Sequence, residues 1–304
     1  MDFLYLLEGM RTPLGERIFG IITHLGSDIM MIATLCALLW ICGRRAALRL
    51  AIAYAGSGLV NQLLKVAFAV PRPWVLDERL TPAESALKGA TGYSFPSGHS
   101  QTAACLFTSL ALMFRRRWVA IVGATAIAAV MLSRMYLGVH TPLDVIVGCA
   151  LSVVATLVIS RLLNRAERSP HYMRGVFIGG TAGALMIAAI CFAQYMAGEP
   201  ANMLKDLIMV AGALCGFAIG MYLDSRHEEK LLPLRLSLPL SVAGLAIVFA
   251  LKQALGAALA GTPGELWQSM LKYGLITYYI AGIHPALMRA VGRCLARARH
   301  DTEV

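Results

Sequence analysis

Apolar stretches of roughly bilayer-spanning length recur nine times along this chain, and that recurrence limits its fold more than any other feature. They cover 18–42, 46–70, 97–114, 118–137, 142–159, 176–196, 204–223, 236–257 and 265–288. Hydrocarbon offers no water to backbone N–H and C=O groups, so each stretch must bond to itself as a helix or pair into a closed barrel. The period-two alternation of a membrane barrel is absent. Charged residues are only 14% of the total, against about 25% in soluble domains. The predicted fold is an all-α, polytopic integral membrane bundle of about nine transmembrane helices.

Charge sets its orientation. Arg44, Arg45 and Arg49 follow the first stretch, and Arg115, Arg116 and Arg117 follow the third. Arg161, Arg165, Arg168 and Arg174 follow the fifth, then Arg226, Lys230 and Arg235 follow the seventh. Arg289, Arg293, Arg297 and Arg299 close the chain, so 17 of the 27 basic residues lie on one side. The positive-inside rule makes that side cytoplasmic. The N-terminus and the loop 71–96 are then expected outside, and the C-terminus in the cytoplasm. The net charge of +10 comes from these short clusters between apolar runs, which suits a membrane surface and not nucleic acid.

Residues 1–17 are too short and polar to span and are expected on the outer surface. The start, Met1-Asp2-Phe3, lacks the basic n-region of a cleaved signal peptide. Short loops and the absence of targeting signals suggest a bacterial plasma membrane, or an endoplasmic reticulum lumen in a eukaryote. Seven scattered cysteines without a CxxC pair indicate neither a zinc site nor a disulfide framework. The loop 161–174, with Ser169-Pro170, divides a five-span front domain (1–165) from a four-span rear domain (166–304).

Three polar clusters break the apolar pattern, all at the outer face. Lys65 and Arg72-Pro73 close the second stretch, and Pro96-Ser97-Gly98-His99 opens the third. Ser133-Arg134 ends the fourth, with His140 and Asp144 at the start of the fifth. Charge at such depth is costly and marks function. Lys65 and Arg72 share a helix face if the helix persists across seven residues. Ser97 suits an N-cap, and Gly98 lets an anion approach the helix amides. Asp144 can orient an imidazole four residues back, while Thr141-Pro142-Leu143-Asp144 also reads as an ordinary capping box. Three cations beside a helix N-terminus make a phosphate site.

Taken jointly, Lys65-x6-Arg72-Pro73, Pro96-Ser97-Gly98-His99 and Ser133-Arg134-x5-His140-x3-Asp144 resemble the three-part signature of the type 2 phosphatidic acid phosphatase superfamily, also called the lipid phosphate phosphatases. No motif position departs from it, and the resemblance covers the front half. It implies a phosphoric monoester or diphosphate hydrolase acting on a lipid phosphate or an undecaprenyl-type diphosphate. His140 would be the nucleophile that becomes a phosphohistidine, Asp144 its orienting carboxylate, and His99 the acid and then the base. Lys65, Arg72, Ser97, Gly98 and Arg134 would bind the phosphoryl oxygens. No cofactor and no metal are expected, because the cations already supply the charge.

Two alternatives stand beside this reading. The five-plus-four arrangement looks like glucose-6-phosphatase and its relatives, which would mean a soluble phosphate ester. A phosphohistidine can also pass its phosphoryl group to an acceptor lipid. His24 and Asp28, four apart in the first stretch, are candidates for the substrate entrance and can pair if helical. Lys252 and Lys272, near the outer ends of the last two stretches, are further entrance candidates. His284 is expected to be structural. Beyond the substrate, the expected partners are membrane lipids.

Overall fold

We describe a computed structural model of the chain, covering residues 1–302 except 88, 91, 170, 200, 230 and 263. Pro170, Lys230 and the side chains of Arg297 and Arg299, which entered the expectations above, lie outside the described residues. The chain opens with α1 (Asp2–Gly9) and α2 (Pro13–Ile22), turns through a 3-10 segment at Thr23–Gly26, and continues as α3 (Asp28–Ala37). A π-helical turn at Leu38–Cys42 leads to α4 (Arg44–Phe68). Two one-turn helices, α5 (Pro73–Leu76) and α6 (Glu84–Leu87), precede α7 (Gly98–Phe114), α8 (Arg117–Tyr136) and α9 (Pro142–Ala166). Then come α10 (Tyr172–Met196), α11 (Ala201–Ser225), α12 (Leu234–Leu259) and α13 (Glu265–Tyr278). A second π turn, Tyr279–Ile283, runs into α14 (His284–Thr302).

All described elements are helical, and every expected stretch has helical counterparts. Among the described residues, α8, α9, α10, α12 and the Leu204–Ser225 part of α11 are long and apolar enough to cross a bilayer. The bent pair Pro13–Gly26 and Asp28–Cys42 makes a sixth if it is one span. The chain is thus a polytopic integral membrane protein. α7 and α13 are shorter, with 17 and 14 residues, and α4 carries three arginines in its first two turns.

Two sequence expectations need correction. The first stretch is not one helix: its halves meet at 47°. Ser27 is extended, its Oγ donates to the His24 carbonyl at 2.7 Å, and Oγ also accepts from the Met30 amide at 3.4 Å. A serine placed this way caps a new helix and ends the old one. Second, α4 stops at Phe68, where Ala69 takes φ +45°, so the helix does not persist to Arg72. Arg72 instead occupies the N-cap position of α5.

The chain forms two compact units. The first holds Met1–Thr34 and Leu48–Asn164. Within it α7 packs along α8, and the 3-10 turn touches both. α9 begins with Pro142 in the first turn and a reciprocal cap: the Thr141 amide donates to Asp144 Oδ2 at 2.8 Å, and the Asp144 amide donates to Thr141 Oγ1 at 3.3 Å. The buried helix α1 contacts, Leu4 and Leu7, anchor the N-terminus, while Glu8 accepts from the Thr81 amide at 2.9 Å.

The second unit holds Leu35–Ala47 and Arg165–Val304. α11 and α13 approach so closely that a Cβ on Gly216 would lie 1.9 Å from the Gly274 carbonyl oxygen. The two π turns meet where Trp40 Nε1 donates to the Ile280 carbonyl at 3.0 Å. His284 is buried, stacks on Trp40 at 4.0 Å and bonds Tyr279 Oη at 2.9 Å, which is the structural place expected for it.

Candidate active site

The first unit gathers the three polar clusters. Gly138, at φ +75°, makes the turn between Arg134 and His140 that a side chain would strain. His140 and Asp144 are both buried, with His140 Nδ1 3.5 Å from Asp144 Oδ2. The same carboxylate oxygen accepts from Ser94 Oγ at 2.6 Å. On the other edge of the ring, Arg72 Nη1 lies 3.0 Å from His140 Nε2. A guanidinium only donates, so Nε2 carries the lone pair and Nδ1 carries the hydrogen facing Asp144. Burial, reinforced by Arg72 and Arg134, pulls this imidazole below its ordinary pKa despite the Asp144 hydrogen bond, so it is neutral.

The cations are placed for an anion. Arg72 is buried, and also donates from Nη1 to the Val139 carbonyl at 3.1 Å and from Nε to the Gly92 carbonyl at 3.1 Å. Arg134 is buried too; its Nη1 donates to Thr23 Oγ1 at 3.0 Å, while its Nε has no hydrogen-bond partner among the described residues. Such unspent buried donors are costly unless a ligand takes them. Ser97 caps α7, accepting from the Ser100 amide, and its own amide donates to the Asp144 carbonyl at 3.0 Å. Lys65 Nζ would lie 4.0 Å from a Cβ built on Gly98, which places the ammonium at the start of α7. His99, half-buried, stands within electrostatic reach of Arg134, His140 and Lys65.

All eight motif residues therefore belong to one cluster. Asp144 both caps α9 and faces the imidazole, so neither sequence reading excludes the other. The entrance candidates fare differently. His24 is exposed in the 3-10 turn and within electrostatic reach of His99. Asp28 does not pair with it: the break at Ser27 separates them, and Asp28 Oδ1 accepts from Tyr54 Oη at 2.7 Å. Lys252 is exposed and Lys272 half-buried, both in the second unit, and Lys272 stands within electrostatic reach of Lys252 and Lys205.

Sequence reasoning missed four residues. Ser94 and Thr23 look like ordinary loop hydroxyls, and no spacing ties them to Asp144 and Arg134. Gly26 and Gly148 are apolar-stretch glycines whose contacts are invisible locally. A Cβ on Gly26 would lie 2.4 Å from the His99 carbonyl oxygen, and one on Gly148 2.6 Å from that of Ser97. The assembled groups are two imidazoles and three cations, with one carboxylate beside the His140 ring, a set able to carry nucleophilic and electrostatic chemistry.

The PAP2 superfamily model matches residues 46–168. Phosphatidylglycerophosphatase B of Bacillus subtilis is 26% identical over 172 residues, covering 52% of this chain and 80% of that protein. Undecaprenyl-diphosphatase of Sulfolobus acidocaldarius is 31% identical over 105 residues, covering 34% of this chain and 49% of that protein. The crystal structure of Aquifex aeolicus LpxE aligns with a TM-score of 0.46 and 26% identity, over 53% of this chain and 93% of that one.

Proposed function

We propose, from the match of residues 46–168 to the PAP2 superfamily model, that this membrane-embedded chain is a phosphate ester hydrolase acting on a lipid phosphate or an isoprenyl diphosphate. The named relatives support that class, since one is a phosphatidylglycerophosphatase and another an undecaprenyl-diphosphatase. In this reading the chain crosses nine times, with the N-terminus outside and the C-terminus cytoplasmic, and the reaction takes place at the extracytoplasmic face of a bacterial inner membrane, which the basic clusters on one side support. Residues 1–165 form the catalytic domain, and 166–304 an accessory four-span bundle.

The observation that carries the mechanism is the placement of His140: a buried ring with Nδ1 toward Asp144 and Nε2 toward Arg72. A bound phosphoryl group takes over the Arg72 donors, and Nε2 is released to attack phosphorus. The N–P bond forms as the bond to the leaving oxygen breaks, and protonated His99 gives that oxygen its proton. Asp144 stabilises the cationic phosphohistidine, while Lys65, Arg72, Arg134, Ser97 and the Gly98 amide hold the phosphoryl oxygens. In the second half, neutral His99 takes a proton from water. The water oxygen attacks, the N–P bond breaks, and phosphate leaves with His140 neutral again.

Acid-stable and acid-labile phosphate can be distinguished on quenched enzyme turning over a labelled lipid phosphate. An acid-labile, base-stable adduct on His140 is expected, and it should be absent from His140→Ala, whose turnover falls at least on the order of 10³-fold. An adduct persisting in that variant would overturn the assignment. Orthovanadate should inhibit as a mimic of the trigonal-bipyramidal transition state. EDTA should leave the rate unchanged; loss of activity restored by magnesium would refute the metal-free route.

A further inference from the structure

The tight turn Thr23–Gly26 lies outside the matched segment 46–168, yet it is built onto the site from two directions. Thr23, buried, accepts from Arg134 Nη1 at 3.0 Å. Gly26, also buried, lies against the His99 carbonyl so closely that a Cβ would come to 2.4 Å of that oxygen and 2.9 Å of Val130 Cγ1. In a 3-10 turn residues three apart eclipse, so Thr23 and Gly26 share the face packed on the site. His24 falls about a third of a turn away, exposed at the edge of that contact. Its backbone is held, since its carbonyl accepts from both the amide and the hydroxyl of Ser27 at 3.0 and 2.7 Å. Its ring has no hydrogen-bond partner among the described residues.

We infer that His24 is a specificity-determining residue that contacts the leaving group, and that it favours a leaving group which itself carries a phosphate. The inference rests on the reaction proposed above and adds to it a residue from outside the matched segment. In an in-line displacement the nucleophile and the leaving oxygen stand on opposite sides of phosphorus. In the reaction proposed above His140 takes one side and His99 the other, so a side chain beside His99 meets what departs. The cations Lys65, Arg72 and Arg134 are committed to the transferring phosphoryl group. A diphosphate lipid brings a second phosphate on the departing side, and that group needs a donor of its own. An imidazole supplies an N–H in either protonation state, and the turn presents it on a rigid backbone.

The test uses the full-length protein in detergent micelles with three substrates. These are a long-chain isoprenyl diphosphate, the isoprenyl monophosphate of the same chain, and phosphatidic acid. Wild type, His24→Ala and His24→Gln are compared by kcat/KM from phosphate release. In His24→Ala the ratio of diphosphate to monophosphate kcat/KM should fall roughly tenfold, the loss of one hydrogen bond to a charged group. His24→Gln, which keeps an N–H donor, should recover part of that ratio; it also serves as the folded comparison if the alanine variant is unstable. An unchanged ratio in both variants overturns the inference, whether or not overall rates move. So does a wild type that hydrolyses the monophosphates and leaves the diphosphate untouched. A wild type that hydrolyses none of the three lipids instead overturns the lipid phosphatase reading itself.

Discussion

Ser94 Oγ reaches two partners that matter, Asp144 Oδ2 at 2.6 Å and His140 Nδ1 at 3.4 Å. Ser94→Ala would leave the carboxylate with the Thr141 amide and the imidazole, and free it to turn away from Nδ1. A hydrogen bond to a buried charge is worth about 1.5–3 kcal/mol, so kcat should drop roughly ten- to a hundredfold with KM little changed. Initial rates on one lipid phosphate check this, and a wild-type kcat would remove Ser94 from the orienting group. Arg134 differs in kind. It is buried, and its Nε has no hydrogen-bond partner among the described residues; under the proposed role at the phosphoryl oxygens, Arg134→Gln should depress kcat and kcat/KM together.

At the scale of elements, the site depends on how closely helices approach it. α9 presses Gly148 against the Ser97 carbonyl, which leaves no room for a methyl group. Gly148→Ala should cost about 1–3 kcal/mol of stability by overpacking and shift the start of α7, lowering kcat by on the order of tenfold or more. Thermal unfolding and phosphate release measure the two effects; a variant with wild-type kcat and Tm would show that α9 yields freely.

The N-terminal helix makes a separate clasp on the outer loop. Tyr5 donates its hydroxyl to Asp77, and Arg11 Nη1 donates to the Thr81 carbonyl at 2.6 Å. The hydrogen bonds from Arg79, and then from Tyr5, hold the Asp77 carboxyl well below the usual carboxylate range. A depressed native pKa contributes stability that is complete above the unfolded value near about 4 and is lost only as pH falls through the native one. Protease access to residues 1–11 should therefore be the same at pH 7 and pH 5, and rise only in stronger acid. Asp77→Asn should raise it already at neutral pH.

For the whole molecule, the decisive measurement is sidedness. A single cysteine at Ser85, in a background free of the seven native cysteines, should label from outside intact cells. One at Ser169 should label only after permeabilisation. Both positions are exposed, so accessibility reports the membrane side and not burial. The reverse pattern would turn the site toward the cytoplasm and its soluble phosphate esters, in place of lipids exported to the outer leaflet.

The all-helical membrane character and the helix positions were legible in the amino-acid order, because hydropathy and backbone satisfaction in lipid act within single stretches. The motif residues were legible as well, since each cluster is local and its chemistry is written in side-chain type. What the sequence alone did not contain was the set of contacts across distant segments. Arg134 meets Thr23 across 111 positions, and Asp144 meets Ser94 across 50. The break at Ser27 is a third example: an apolar run reads as continuous, and only a capping hydroxyl bonded back to His24 bends it by 47°. Residues 35–47 likewise join the second unit, although the apolar stretch 18–42 reads as continuous through position 35. Tertiary packing decided these because close approach depends on which glycine or hydroxyl faces a neighbour. Periodicity within one helix is blind to that.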